Sequence, residues 1–211
     1  PQQLLLYLIV TSGVLSALLV NDTICLMLTP LVVVVIQRGR LPLMPYLLAL
    51  AMSANLGSVA TLVGNPQNMI IGHLSGISFL DFLLSLTPVA VVGLAIEYAV
   101  LRLGFRRVLA AAMIRRSQET PAAHPDRRLM TLSLLVLGLV FLGFMAGLHL
   151  AWTALAGSVL LMVLTRRDTH EVFKLVDWHL LLFFAALFVV VEGLNGTGLP
   201  DQMYGQCRGL F

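Results

Sequence analysis

Residues 4–36 are 33 consecutive positions of predominantly apolar sequence, free of charge except at a polar step in their middle, Asn21-Asp22-Thr23. A single helix of that length would reach about 50 Å, far beyond the ~30 Å of bilayer hydrocarbon. The step divides the run into arms of 17 residues (4–20, about 25 Å) and 13 residues (24–36, about 20 Å). The second arm is too short to span alone, so the pattern predicts a re-entrant helical hairpin with its tip at Asn21-Asp22-Thr23. Non-helical backbone at that depth needs cover from protein or a water-filled cavity. A carboxylate there costs about 2.5–3.5 kcal/mol on insertion scales, so Asp22 marks a functional position.

A second break lies in residues 43–76, a stretch long enough to cross once. It is interrupted by Ser53-Ala54-Asn55-Leu56-Gly57-Ser58 and by Gly64-Asn65-Pro66-Gln67-Asn68, and it reads as one discontinuous helix. Asn21 and Asp22 are strong N-cap residues and would start the returning arm. Asn65-Pro66 is the same device, a cap followed by a proline whose missing N–H is harmless at the first helical position. Both breaks then aim helix N-termini at one level of the bilayer. Substrate anions bind such ends, while unwound carbonyls and side-chain oxygens coordinate Na⁺. Gly57 and Gly64 permit the unwound backbone and close approach.

Blander readings stay open. A proline-kinked helix would account for Asn65-Pro66 alone, and a structural pairing with a distant arginine would account for Asp22. Ser53, Ser58 and Thr61 serve equally well as helix-packing residues. Glu97 sits near the inner end of its helix, where it would snorkel or meet Arg102.

Composition fixes the class. Hydrophobic residues are 59% and charged residues 11% of the chain, against roughly 25% charged in a soluble domain, and the mean hydropathy is +0.95. The chain is a multi-spanning membrane protein. Its net charge of +3 is gathered in short loops, not on a basic face of a soluble domain, which excludes nucleic acid as a partner. Cys25 and Cys207 form no CxxC pair, and the five histidines are dispersed, so neither a disulfide framework nor a zinc site is read. With no Ser/His pair, no HExxH and no second intramembrane carboxylate to join Asp22, an enzyme is not expected.

Further along, residues 79–81 read as a short turn and 82–101 as a clean crossing. Residues 102–128 are a polar linker with Arg102, Arg106, Arg107, Arg115, Arg116, Arg127, Arg128, Pro121 and Pro125. Residues 129–148 and 150–164 are two crossings joined by a tight turn at His149. Residues 165–179 form a charged loop, and 180–191 open another helix. Three segments result: 1–101 as the transport-site half, 102–128 as a cytoplasmic linker, and 129–211 leading into a second repeat. Twelve of the thirteen Lys and Arg, all but Arg208, then face the cytoplasm, as the positive-inside rule requires. Trp178 and Trp152 fall at the inner and outer interfaces. The chain opens on Pro1 without a signal-peptide layout and reads as a piece of a longer protein.

The sequence Asn21-Asp22-Thr23-Ile24-Cys25-Leu26-Met27-Leu28-Thr29-Pro30, followed by residues 53–68 from Ser53 to Asn68, resembles the ion transporter superfamily. This superfamily holds the arsenite permeases of the ArsB type, the Na⁺/H⁺ antiporters of the NhaD type, the citrate permeases and the divalent-anion/sodium symporters. Residues 178–198, ending in Glu192-Gly193-Leu194-Asn195-Gly196-Thr197-Gly198, are similar to the segment opening the second half of these proteins. The resemblance implies an all-α fold of two inverted repeats, each with a re-entrant hairpin and a discontinuous helix, of which this chain carries one. It implies a Na⁺ site between tip and break, at Asn21, Asp22 and Gly64. The wider substrate- and ion-binding set becomes Asn21, Asp22, Thr23, Ser53, Asn55, Gly57, Thr61, Gly64, Asn65, Pro66 and Asn68. A homodimer is implied by the same analogy. The symporters carry Ser-Asn-Thr at the tip where this chain has Asn21-Asp22-Thr23, closer to the arsenite and NhaD branches. A fixed negative charge opposes a dianion unless a proton or cation neutralises it.

The expectation is a secondary active ion transporter of a bacterial inner membrane. It would be an anion permease or cation-coupled anion transporter using Na⁺ or H⁺ as coupling ion and no other cofactor. A Na⁺/H⁺ antiporter is the alternative within the class, and a non-transporting membrane scaffold is the alternative outside it.

Overall fold

The structure is a computed structural model and describes residues 1–111, 126–166, 168, 170, 173–174, 176 and 178–198. Of the residues named above, Arg115, Arg116, Pro121, Pro125, Cys207 and Arg208 lie outside the described set, as does most of the linker expected at 102–128. Every regular element among the described residues is a helix: α1 (Gln2–Leu18), α2 (Asn21–Arg38), α3 (Leu43–Ser58), α4 (Pro66–Ser75), α5 (Phe79–Gly104), α6 (Arg106–Ala111), α7 (Arg127–Met145), α8 (Leu150–Thr165) and α9 (Trp178–Gly196). Three of these, α2, α5 and α7, are long and apolar enough to cross a membrane. The protein is a polytopic, all-α membrane protein.

Two expectations about boundaries change. Residues 79–81 are no turn but the first turn of α5. Ser78 caps it, accepting from the Asp81 N–H at 3.1 Å while donating its hydroxyl proton to the Asp81 carboxylate at 2.6 Å, a cap whose acidic partner sits in the first turn. The returning arm of the hairpin is also longer than its apolar core, because Asn21-Asp22-Thr23 and Gln37-Arg38 are themselves helical. At 18 residues α2 is about 27 Å long, so its length alone does not separate an arm that dips from one that crosses.

The helices fall into two compact units, Pro1–Val159 and Leu160–Phe211. In the first, α3 is the packing hub, with α1, α2 and α5 against it. Helices α1 and α3 run side by side in the same direction: Tyr46 donates its hydroxyl to the Pro1 carbonyl (3.1 Å) near their starts, and Thr61 donates to the Ala17 carbonyl (2.6 Å) past the last turn of α3. Between these ties Gly57 lies on Gly13 so closely that a Cβ on Gly57 would fall on the Gly13 backbone. Small residues let membrane helices approach in this way.

One end of this unit is closed by Leu5, Ile9, Ile36, Leu41, Tyr46, Leu50, Leu101 and Leu109. That core joins the start of α1 and α3 to the end of α2 and α5, and so gathers Arg38, Arg40, Arg102, Arg106 and Arg107 at one end. The opposite end packs Leu62, Phe79, Phe82 and Phe144, which makes α7 antiparallel to α5. Helix α2 terminates in a Schellman motif: Leu41 N–H reaches the Ile36 carbonyl and Arg40 N–H the Gln37 carbonyl, both at 3.0 Å. Arg40 takes the left-handed position at φ 52°, one usually held by glycine.

In the second unit, α9 is apolar on all sides. At its start the Trp178 indole stacks on Phe173 with centroids 6.3 Å apart, and its N–H donates to the Phe173 carbonyl at 3.2 Å.

Candidate functional site

The first break is two residues wide. Leu19 and Val20 run extended between α1 and α2. Asn21 and Asp22 are the first residues of α2, not its cap; Val20 holds the cap position with no side-chain hydrogen bond. The reason is external support. The Asn21 N–H donates to the Gly64 carbonyl at 2.9 Å, and the Asn21 side-chain amide donates to Asn55 Oδ1 at 3.0 Å. The tip is held by the other break and needs no cap of its own.

The second break occupies residues 59–65. Here Asn65 caps α4 as expected, accepting from the Asn68 N–H at 2.8 Å, with Pro66 at the first helical position. The amide of Asn65 also donates to Ser58 Oγ at 3.1 Å. The Asn68 amide donates to the carbonyls of Thr61 (2.9 Å) and Ser58 (3.2 Å). These bonds satisfy carbonyls that unwinding α3 would otherwise leave without donors, a need that is acute away from water. Gly64 has no alternative residue, since a Cβ there would fall on the Ser58 backbone.

The depth of the junction follows from α5. At 26 residues it is about 39 Å long, with its midpoint near Val91 and Val92. A Cβ on Gly93 would meet Leu56 at 2.9 Å, and one on Gly13 would meet Leu94 at 2.9 Å. The α1–α3 crossing is therefore level with the middle of α5. The first break follows Gly13 by about two turns, roughly 10 Å, and meets the second at Gly64, while α5 runs about 21 Å past Gly93 to Phe79. The tip of the α1–α2 pair thus stops inside the depth that α5 traverses.

The sequence-derived residues fall into three groups, with Thr23 outside all of them. Asn21, Asn55 and Gly64 meet at the tip, with Asp22 half-buried in the first turn of α2 beside them. Thr61, Asn65, Pro66 and Asn68 build the break itself. Ser53 and Gly57 lie lower, at the α1–α3 crossing, where Ser53 Oγ is 2.6 Å from Ser12 Oγ. Thr23 is exposed on the outer side of α2. At the tip, Asn21 Oδ1 is buried and lacks a hydrogen-bond partner among the described residues, an arrangement rare enough to need a reason. It stands one residue from a carboxylate and next to the Gly64 carbonyl, which keeps a second lone pair. This oxygen set suits a desolvated monovalent cation; the positive end of α2 and the Asp22 charge offset each other.

Several residues escaped the sequence reading. Ser12 and Ser16 are fully buried, and Ser16 Oγ donates to the Ala54 carbonyl at 2.5 Å. Their spacing around Gly13, a small-xxx-small stripe, was the available signal. Thr87 Oγ1 is buried without a hydrogen-bond partner among the described residues. Glu97 corrects two expectations, since it neither snorkels nor meets Arg102, and it is a second buried intramembrane carboxylate. It is 2% exposed, and Arg102 instead lies over the Tyr98 ring, 5.9 Å from its centroid. The cause is helical register: Glu97 shares a face with Leu94 and Leu101, three and four residues away, and Arg102 does not.

Comparison with known proteins agrees with this architecture. The citrate transporter family (CitMHS) matches residues 1–210. Among curated relatives, the silicon efflux transporter LSI3 of Oryza sativa subsp. japonica is 30% identical, over 92% of this chain and 52% of its own length. A 46 kDa membrane protein of Mycobacterium leprae (strain TN) is 35% identical over 96% of the chain and 49% of its own. The putative transporter arsB of Dictyostelium discoideum is 24% identical over 87% and 52%. The chain spans about half the length of these relatives. It belongs to the citrate transporter family.

Proposed function

We propose that this chain forms one half of a secondary transporter and that the junction of tip and break is its half of the ion site. The observation that carries the reading is the bond from Asn21 to Gly64, which fastens two helix breaks together within the depth that α5 traverses. Unwound backbone at such a depth needs cover from protein or a water-filled cavity, and the unpartnered Asn21 Oδ1 among the described residues favours the cavity. Asp22 is the cation-binding or titrating group, and Asn21, Asn55 and Gly64 supply neutral oxygens. The cargo is a small weak-acid oxyanion or carboxylate, in line with the citrate, silicon and ArsB-type names carried by the family and its relatives. Coupling to Na⁺ or H⁺ follows from charge, because an anion approaches Asp22 only when a cation or proton neutralises it. The basic end faces the cytoplasm of a bacterial inner membrane, and the complete protein pairs as a homodimer.

A second reading, Na⁺/H⁺ antiport, is favoured by the same carboxylate. Proteoliposomes of the full-length protein with an internal pH dye separate the two. Uptake of citrate, arsenite or silicic acid that responds to a pH or Na⁺ gradient supports the anion reading. A Na⁺-triggered collapse of the pH gradient with no anion present supports antiport. Absence of both responses removes transport and leaves the scaffold reading.

A further inference from the structure

Helix α5 carries a polar feature that the tip-and-break site does not use. Thr87, Ala90, Leu94, Glu97 and Leu101 recur at three- and four-residue steps and share one face. This face turns inward: Ala90, Glu97 and Leu101 are buried, while Ile96 and Val100 on other faces are more than half exposed. Leu94 and Leu101 pack into the core shared with α1 and α3, and Leu94 reaches Gly13. Glu97 lies one turn from Leu94 toward the basic end, about 5 Å along the axis. It is 2% exposed, and both carboxylate oxygens lack a hydrogen-bond partner among the described residues.

A buried carboxylate in that state cannot be left charged cheaply. An isolated ion in a low-dielectric interior loses far more solvation than a neutral polar group, and such groups neutralise instead. Among the described residues no group reaches either oxygen within hydrogen-bond distance, Arg38 and Arg40 of α2 included. Helix α1 offers only Tyr7, which is exposed, and the Pro1 amino group at its start. The one titratable group of α3, Tyr46, gives its hydroxyl proton to the Pro1 carbonyl. On α5, Asp81 is four turns away, and Tyr98 is partly buried against the same core with Arg102 over its ring, neither of them bonding the carboxylate. Arg106 and Arg107 of α6, and Arg127 and Arg128 of α7, belong to the exposed basic end.

We propose that Glu97 is a proton-binding site of the transporter, a carboxyl group carried neutral in the conformation described here that releases its proton to water during the transport cycle. The inference rests on the transport reading above. It places the proton site on α5 between the tip and the basic end, separate from the cation site at Asp22. The chemistry is one dissociation, carboxylic acid to carboxylate plus a proton taken by water, and needs no other reactant.

The test uses the full-length protein in proteoliposomes, as wild type and as Glu97→Gln, which keeps the shape of the protonated group. Infrared difference spectroscopy between them at neutral pH reads the carboxylic-acid C=O stretch directly. Loss of that band in the variant supports the proposal; a spectrum showing an ionised carboxylate lost instead overturns it. Radiolabelled citrate, arsenite and Na⁺ then serve as transport probes. For whichever probe moves, Glu97→Gln should keep exchange at equal concentrations within about twofold. Accumulation driven by a pH gradient should fall at least tenfold. Unchanged gradient-driven accumulation would overturn the coupling role. If wild type moves no probe, the transport reading falls and Glu97 is judged on the infrared band alone. Glu97→Leu controls for folding, since a dry site accepts it without loss of monodisperse protein.

Discussion

Gly57→Ala should be the most damaging single-methyl change in the first unit. The added Cβ would land on the backbone of Gly13, well inside van der Waals contact, and backbone cannot rotate away as a side-chain tip can. Helices α1 and α3 must then separate, and overpacking of this kind costs about 1–3 kcal/mol. The separation also stretches the Ser12–Ser53 contact, the Ser16 bond to Ala54 and the Thr61 bond to Ala17, each worth about 0.6 kcal/mol between membrane helices. Against this, alanine gains up to about 1 kcal/mol of helix propensity over glycine. The net loss is about 2–4 kcal/mol. The internal control is Gly93→Ala, where the Cβ meets only the end of the Leu56 side chain at 2.9 Å, so propensity offsets the clash and stability stays within about 1 kcal/mol. Thermal unfolding of the purified full-length variants in detergent, followed by tryptophan fluorescence, measures both. Equal midpoints for the two variants would refute the claim that α1 and α3 meet backbone to backbone.

Three further outcomes follow from local geometry. Asn65→Ala removes the α4 cap and the bond to Ser58 together. It should lower stability by about 1–2 kcal/mol in the same unfolding assay and loosen the break, seen as faster labelling of a cysteine placed at Gln67. Arg40→Gly puts glycine in the left-handed position of the α2 Schellman motif and should raise stability by about 1 kcal/mol; an unchanged or lower midpoint would contradict that turn. Asn55→Ala frees the Asn21 side chain without touching the Asn21 backbone bond to Gly64, so it should weaken cation dependence of transport while leaving the midpoint within about 1 kcal/mol.

The positions of both breaks were legible in the sequence, because polar residues inside long apolar runs have few structural uses. The Asn65-Pro66 cap was legible for the same reason, being a local device with a local signature. What joins the breaks was not: Asn21 to Gly64 and Asn21 to Asn55 are pairings across 43 and 34 positions, and nothing in either segment encodes its partner. That is also why Asn21 was expected as a cap, since local propensity cannot see a carbonyl supplied from another helix. Glu97 was misplaced by its nearness to Arg102 in sequence; only the register of α5 against Gly13 shows which face is inside. The Ser78-x-x-Asp81 capping pattern was present in the sequence and sets the start of α5, yet the short polar stretch there reads equally well as a turn.

The central claim is that Asp22, held at the junction of two broken helices, couples the charge of a cation or proton to movement of the cargo. The direct measurement is transport by full-length Asp22→Asn in proteoliposomes beside wild type, with insertion and thermal stability checked in the same preparations. The account predicts correctly inserted protein whose gradient-driven transport is lost or uncoupled. Coupled transport at the wild-type rate by that variant would contradict it.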